Sequence, residues 1–204
     1  VAGTIAAAGN KSQGGVGGNW SAQLMALKFL GDNGSGSTFN AVRAVEYATA
    51  MGVRITNNSW GGGGFSQALY NAIAAAEDAL FIAAAGNSGT DNDVSPHYPA
   101  NYDLNNVISV ASTTRNDTLS GFSCYGVTTV DLAAPGSSIY STVPGNSYAS
   151  YSGTSMATPH VAGVAAMVMA EDPNLSAAEV KQVILDSVDP LPALDGKVLT
   201  GGRL

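Results

Sequence analysis

Residues 152–163 read Ser-Gly-Thr-Ser-Met-Ala-Thr-Pro-His-Val-Ala-Gly and place Ser155 between small residues at the start of an apolar run. Gly153 and Ala157 flank it in a G-x-S-x-small arrangement, which lets the backbone turn sharply and leaves a hydroxyl uncovered. Residues 161–170 are almost wholly apolar, and Pro159 is tolerated in a first helical turn, where the N–H it lacks would be unpaired. A helix is therefore predicted to start at this serine, with its N–H groups and dipole favouring negative charge beside Ser155. Two roles fit such a residue: an activated nucleophile for acyl transfer, and an ordinary helix N-cap built from Gly-Thr-Ser. This segment alone leaves both open.

Two further segments end in small residues and an amide or indole. Ala83-Ala84-Ala85-Gly86-Asn87 follows the apolar run Leu80-Phe81-Ile82, and Asn58-Ser59-Trp60-Gly61-Gly62 closes another. An amide such as Asn87 can donate an N–H to an oxyanion without adding charge; an isolated Gly-Asn pair is also a common turn. Together with residues 152–163, these segments resemble the subtilisin-like serine proteases, in order through nearly all 204 residues. Val1-Ala2-Gly3-Thr4 is similar to the segment that follows the family's catalytic histidine, and Gly201-Gly202-Arg203-Leu204 to the start of its closing segment.

The resemblance implies a serine endopeptidase acting on extended polypeptide outside the cell, with Ser155 as nucleophile and Asn87 as oxyanion donor. It implies that Gly34, Ser35 and Gly36 on one side, and Ser59, Trp60 and Gly61 on the other, bracket the substrate by main-chain pairing. The primary side-chain slot would be walled by residues 59–62 and by Ala84, Ala85, Gly86 and Asn87. These walls are small and uncharged, so a roomy slot for large apolar or aromatic residues is expected, with no counter-charge for Lys or Arg.

In that family the catalytic residues run Asp, His, Ser along the chain, which would place both partners of Ser155 before Val1. The expectation is a single peptidase domain over residues 1–204, truncated at both ends and inactive by itself, with the missing N-terminal segment of the same protease as its partner. Neither histidine substitutes. His97 lies in a polar Asp/Ser/Pro-rich stretch, and His160 stands five residues after Ser155 on the same predicted helix, so the two project to different faces. A structural role is expected for both. The alternative is a non-catalytic peptide-binding module on the same fold; the intact Ser155 and Asn87 argue for the peptidase.

Composition excludes other classes. The formal net charge is -7 with only eight Lys plus Arg, so there is no basic stripe for phosphates and nucleic acid is not an expected partner. Neither a P-loop nor a strand-linked G-x-G-x-x-G occurs. No apolar stretch reaches the ~18 residues of a membrane span, so a membrane is not an expected partner either. Cys124 is the only cysteine, which rules out an intrachain disulfide and suggests a buried, inert thiol. Catalysis of this kind needs no cofactor, but the resemblance implies structural calcium. A hard cation takes several oxygens, and residues 9–18 offer Asn10 but no carboxylate, which argues against a strong site within that loop. Asp131, with backbone oxygens near Ala100, Tyr102 and Val107, is similar to a second, weaker cation site of the family. It reads equally well as a solvated acid at a strand end.

The elements that must hold these residues alternate. Helical spacing is predicted over residues 38–51 (Phe39, Val42, Val45 and Ala48 inward), 66–78, from Ser155 onward, and from the capping box Ser176-Ala177-Ala178-Glu179 (Val180, Val183 and Ile184 inward). Residues 1–8 read as the remainder of a helix and residues 9–18 as a Gly-rich loop. Strands are predicted at 24–30, 53–58, 80–85, 107–111 and 130–133, with 147–152 extended. This order implies an α/β fold of three layers, α/β/α, around a mainly parallel sheet. Ligands bind such sheets at the strands' C-terminal ends, where the loops after Leu30, Asn58 and Ala85 are expected to converge.

Overall fold

Every residue from Leu80 to Ala84 is buried, as a strand covered on both faces requires. In the computed structural model, which describes residues 1–10, 12 and 14–204, this run is one strand of a sheet. The elements are α1 (Ala2–Ala6), α2 (Thr38–Ala50), β1 (Ile55–Asn58), α3 (Gln67–Ala75), β2 (Leu80–Ala84), β3 (Val107–Thr113), β4 (Leu132–Pro135), β5 (Ile139–Val143), β6 (Ser147–Tyr151), α4 (Thr154–Glu171), α5 (Ala177–Asp186), β7 (Asp189–Pro190) and β8 (Gly202–Arg203). The main sheet runs β1-β2-β3-β4-β8-β7, parallel except for the last pair.

Side chains of a strand alternate between faces, and β2 divides its residues accordingly. Leu80 and Ile82 join a core with Ile108, Val110 and Leu132 beneath α4 and α5, including Val161, Ala165, Val180 and Ile184. Phe81 and Ala83 join the opposite core with Val45 of α2 and Leu69 and Ile73 of α3. The result is the three-layer α/β/α arrangement. Helix starts are set by local chemistry: Ser37 and Ser66 accept from the N–H groups of Asn40 and Leu69, and Ser176 with Glu179 completes both halves of a capping box.

Several expectations change. Residues 24–30 were expected as a buried strand, yet they form no ladder, and Leu24 and Met25 are 52% and 44% exposed. An apolar run becomes a strand only beside another strand's free N–H and C=O groups. Phe39 and Val183 are exposed rather than inward, because the buried stripe of α2 runs through Ala41, Val45 and Ala48 and that of α5 through Ala177, Val180 and Ile184. Residues 147–151 form a separate antiparallel hairpin with β5. The loop predicted over residues 9–18 contains Lys11 and Gln13, which lie outside the described residues; the others form neither helix nor strand. No described helix is long and apolar enough to cross a membrane.

Candidate active site

Ser155 is the second residue of α4, after the N-cap Gly153. Its Oγ donates to the carbonyl of Ser59 at 3.3 Å, and the Ser59 hydroxyl donates to the carbonyl of Ser155 at 2.9 Å. These reciprocal bonds tie the helix start to the segment that leaves β1. Asn87 is tied to the same turn: its Oδ1 accepts from the Thr154 N–H at 2.8 Å and from the Thr154 hydroxyl at 3.1 Å. An N–H can only donate, so the amide oxygen must face Thr154 and Nδ2 must face away. Among the described residues Nδ2 has no hydrogen-bond partner, and Asn87 is exposed. Thr154, itself fully buried, also accepts from the Gly86 N–H at 3.2 Å. One threonine thus links strand end, amide and helix start.

Sheet register explains this convergence. β1 and β2 are parallel with Asn58 opposite Ala83, so residues 59–62 and 84–87 leave the sheet at the same end. Gly62 N–H donates to Tyr98 O at 2.9 Å, holding the loop after β2 against residues 59–62. Trp60 donates its indole N–H to Asn58 Oδ1 at 3.1 Å and meets Phe29 edge to face at 4.9 Å. Gly34, Ser35 and Gly36 are in an exposed turn closed by Gly31 N–H to Ser35 O at 2.8 Å, with Gly34 at φ +76°. They make no hydrogen bond to residues 59–61; the Phe29–Trp60 contact connects the two regions. The loops after Asn58 and after β2 converge as expected, whereas the one after Leu30 leaves an unpaired extended run.

Neither histidine is hydrogen-bonded to Ser155. His160 Nδ1 pairs with Met156 O at 2.9 Å, one helical turn back, and burial holds its pKa below the ordinary imidazole value. Burial lowers His97 likewise, and among the described residues its ring makes no hydrogen bond. Cys124 is fully buried against Gly86, with its Sγ 3.2 Å from Ser88 Oγ and 3.4 Å from Thr90 Oγ1. Burial pushes the thiol up, but hydrogen bonds from Ser88 and Thr90 outweigh it and leave the pKa lowered. Its place beside Gly86 had no signal in the sequence.

Asp131 has a different setting from the solvated acid expected at a strand end: it is 9% exposed. Its Oδ2 accepts from the Ser109 N–H at 2.7 Å and its Oδ1 lies 3.0 Å from Lys181 Nζ, which also donates to Val107 O at 2.5 Å. The positive charge beside Asp131 and Val107 O therefore comes from the chain itself, and these oxygens, already engaged, do not fit a metal ion. Among the described residues no three His, Cys, Asp or Glu side chains form a metal-holding group.

A model of the subtilase family matches residues 1–200. The chain is 42% identical to thermitase from Thermoactinomyces vulgaris over 93% of its own length and 66% of thermitase's. It is 44% identical to M-protease from Shouchella clausii (strain KSM-K16) over 89% of its length and 46% of that protein's. It therefore spans between about half and two thirds of these relatives. Among solved structures, that of a cold adapted subtilisin-like serine proteinase matches with a TM-score of 0.84 at 34% identity, covering 97% of this chain and 71% of that one. With sequence match and fold match running through nearly the whole length, the chain belongs to the subtilase family.

Proposed function

We propose that this chain carries the nucleophile, the oxyanion donor and the substrate groove of a serine endopeptidase. One observation carries the reading: Thr154 holds Asn87 beside the Ser155 helix start, with Nδ2 unpaired among the described residues. In this reading Ser155 Oγ attacks the scissile carbonyl, and the oxygen that gains charge is held by Asn87 Nδ2 in the positive field of the α4 N-terminus. The amine then leaves with a proton and water hydrolyses the acyl-enzyme. The substrate is an extended polypeptide lying along residues 59–61.

A serine hydroxyl needs a base, and His97 and His160 are the sequence's only histidines. The base in this reading is a histidine from another segment of the same protease, oriented by an aspartate there. A cavity of about 380 Å³ lies along the free edge of β1, between it and residues 22–30, lined by Leu27, Phe29, Val45, Ile55 and Trp60. An extended segment placed there would give both flanks a backbone partner.

The test is cleavage of a chromogenic peptide by a longer chain that includes the histidine-bearing segment. Ser155→Ala removes nearly all turnover. Asn87→Ala lowers kcat by on the order of 10²–10³ with little change in KM, a magnitude established on a subtilisin and carried over to this relative. An unchanged kcat in Asn87→Ala would sink the oxyanion assignment.

A further inference from the structure

The Ser155 turn is tied to the free edge of the sheet by a chain of bonds that starts at Asn57. Asn57 Nδ2 donates to Ser59 Oγ at 3.0 Å, the Ser59 hydroxyl donates to Ser155 O at 2.9 Å, and Ser155 Oγ returns to Ser59 O at 3.3 Å. A hydroxyl has one proton, and Ser59 gives it to Ser155 O, so toward Asn57 it can only accept. The amide must therefore present Nδ2 to Ser59 and turn Oδ1 away. Oδ1 is shut off from solvent and, among the described residues, has no hydrogen-bond donor. Native structures rarely leave a buried acceptor without a partner. The main chain of Asn57 has the same gap. Arg54 O accepts from Leu80 N–H on the β2 side, and peptide groups alternate between a strand's two flanks, so those of Asn57 point to the flank that β2 does not cover. Asn57 also lines the cavity of about 380 Å³ along that flank. One residue thus carries both an uncovered edge and an orphaned acceptor.

We propose that Asn57 is a positioning residue: when the histidine-bearing segment fills the cavity, one of its donors, a main-chain N–H or a hydroxyl, pairs with Asn57 Oδ1, and the amide passes this contact through the Ser59 hydroxyl to Ser155. This rests on the peptidase reading above, which supplies the segment. An amide oxygen accepts and cannot donate, so a carboxylate is excluded as its partner. With Oδ1 paired, the amide plane is fixed and Nδ2 holds the Ser59 hydroxyl on Ser155 O. The start of α4 is then fixed relative to the segment that carries the base. Asn57 has no bond to Ser155 Oγ itself and acts only through Ser59. Its effect is on the distance between base and nucleophile, to which the rate is steeply sensitive.

The experiment measures kcat and KM on a chromogenic peptide for the longer, histidine-containing chain and for its variants Asn57→Leu, Asn57→Asp, Ser59→Ala and Asn57→Leu with Ser59→Ala. Asn57→Leu keeps the bulk, removes donor and acceptor, and lowers kcat about tenfold with KM unchanged. In Asn57→Asp the introduced carboxylate can only accept, which draws the Ser59 proton away from Ser155 O. Its kcat falls by a like factor, and it carries the test and the cycle should Asn57→Leu fold poorly. The double variant tests the route. With the relay running through the Ser59 hydroxyl, it loses no more than about twofold beyond the larger single loss, whereas two independent tenfold losses multiply to about a hundredfold. Multiplied losses, or an unchanged kcat in Asn57→Leu, remove Asn57 from the relay and leave the peptidase reading standing. A longer chain without Ser155-dependent turnover removes that reading, and with it this role.

Discussion

Lys181 reaches from α5 to Asp131, its Nζ 3.0 Å from Oδ1, and donates a second bond to Val107 O at the start of β3. The ammonium ties together the entries to β3 and β4, with the two side chains only 20% and 12% exposed. Removing one partner of a fully buried pair costs about 3–5 kcal/mol; with Lys181 partly open to water the cost of Lys181→Met is on the order of 2 kcal/mol. The variant also leaves the Asp131 carboxylate and Val107 O without the positive charge they share. Calcium or sodium ions therefore raise the Tm of Lys181→Met in a thermal melt, while the unaltered protein responds little. Equal responses would mean that Lys181 does not stand in for a cation.

Thr154 offers a second handle, because its hydroxyl accepts from the buried Gly86 N–H while donating to Asn87 Oδ1. Thr154→Val keeps the volume and deletes both bonds. Leaving a buried donor unsatisfied costs about 1–3 kcal/mol, so the urea midpoint falls with no change in m-value. In the longer, histidine-containing chain kcat falls less than in Asn87→Ala, since the Thr154 N–H still holds the amide. A Thr154→Val loss as large as that of Asn87→Ala would show that the hydroxyl, not the amide donor, dominates.

What was legible in the sequence was what local chemistry decides. The capping box at Ser176 and the apolar run at β2 are written in a few adjacent residues, and Ser155 and Asn87 lie beside such runs. What depends on distant partners was not. Residues 24–30 have the composition of a strand but no strand beside them, so their periodicity misled. His97 reads as a loop histidine because its contacts, Gly61 and Gly86, belong to two other segments. Asp131 reads as a strand-end acid because Lys181 is a helix residue far along the chain.

Supplying the missing neighbour is itself a test. Hydrogen exchange at residues 22–30 is fast in the 204-residue chain, where these amides form no ladder. In a longer chain that fills the cavity along β1, protection rises in this run and at the β1 edge, together with turnover of a chromogenic peptide. Activity without added protection would place the histidine-bearing segment elsewhere.

Stability falls as pH drops through the imidazole range. Burial holds His97 and His160 below the ordinary value, so between about 6.5 and their lower folded values the unfolded chain binds protons that the folded chain does not. More protons on the unfolded state means that stability rises with pH across this window. The contribution is complete above about 6.5 and is lost as pH falls through the folded values. His160 should carry part of it, since burial of its ring on α4 lowers its pKa and outweighs the opposing hydrogen bond between Nδ1 and Met156 O. Urea midpoints measured from about pH 5 to about pH 8 rise in the unaltered protein and flatten in His160→Gln, further in the double variant with His97→Gln. The difference between unaltered and double-variant curves separates the imidazoles from the carboxylates that titrate lower. Parallel curves would assign the whole slope to those carboxylates and leave both histidines without a part in it.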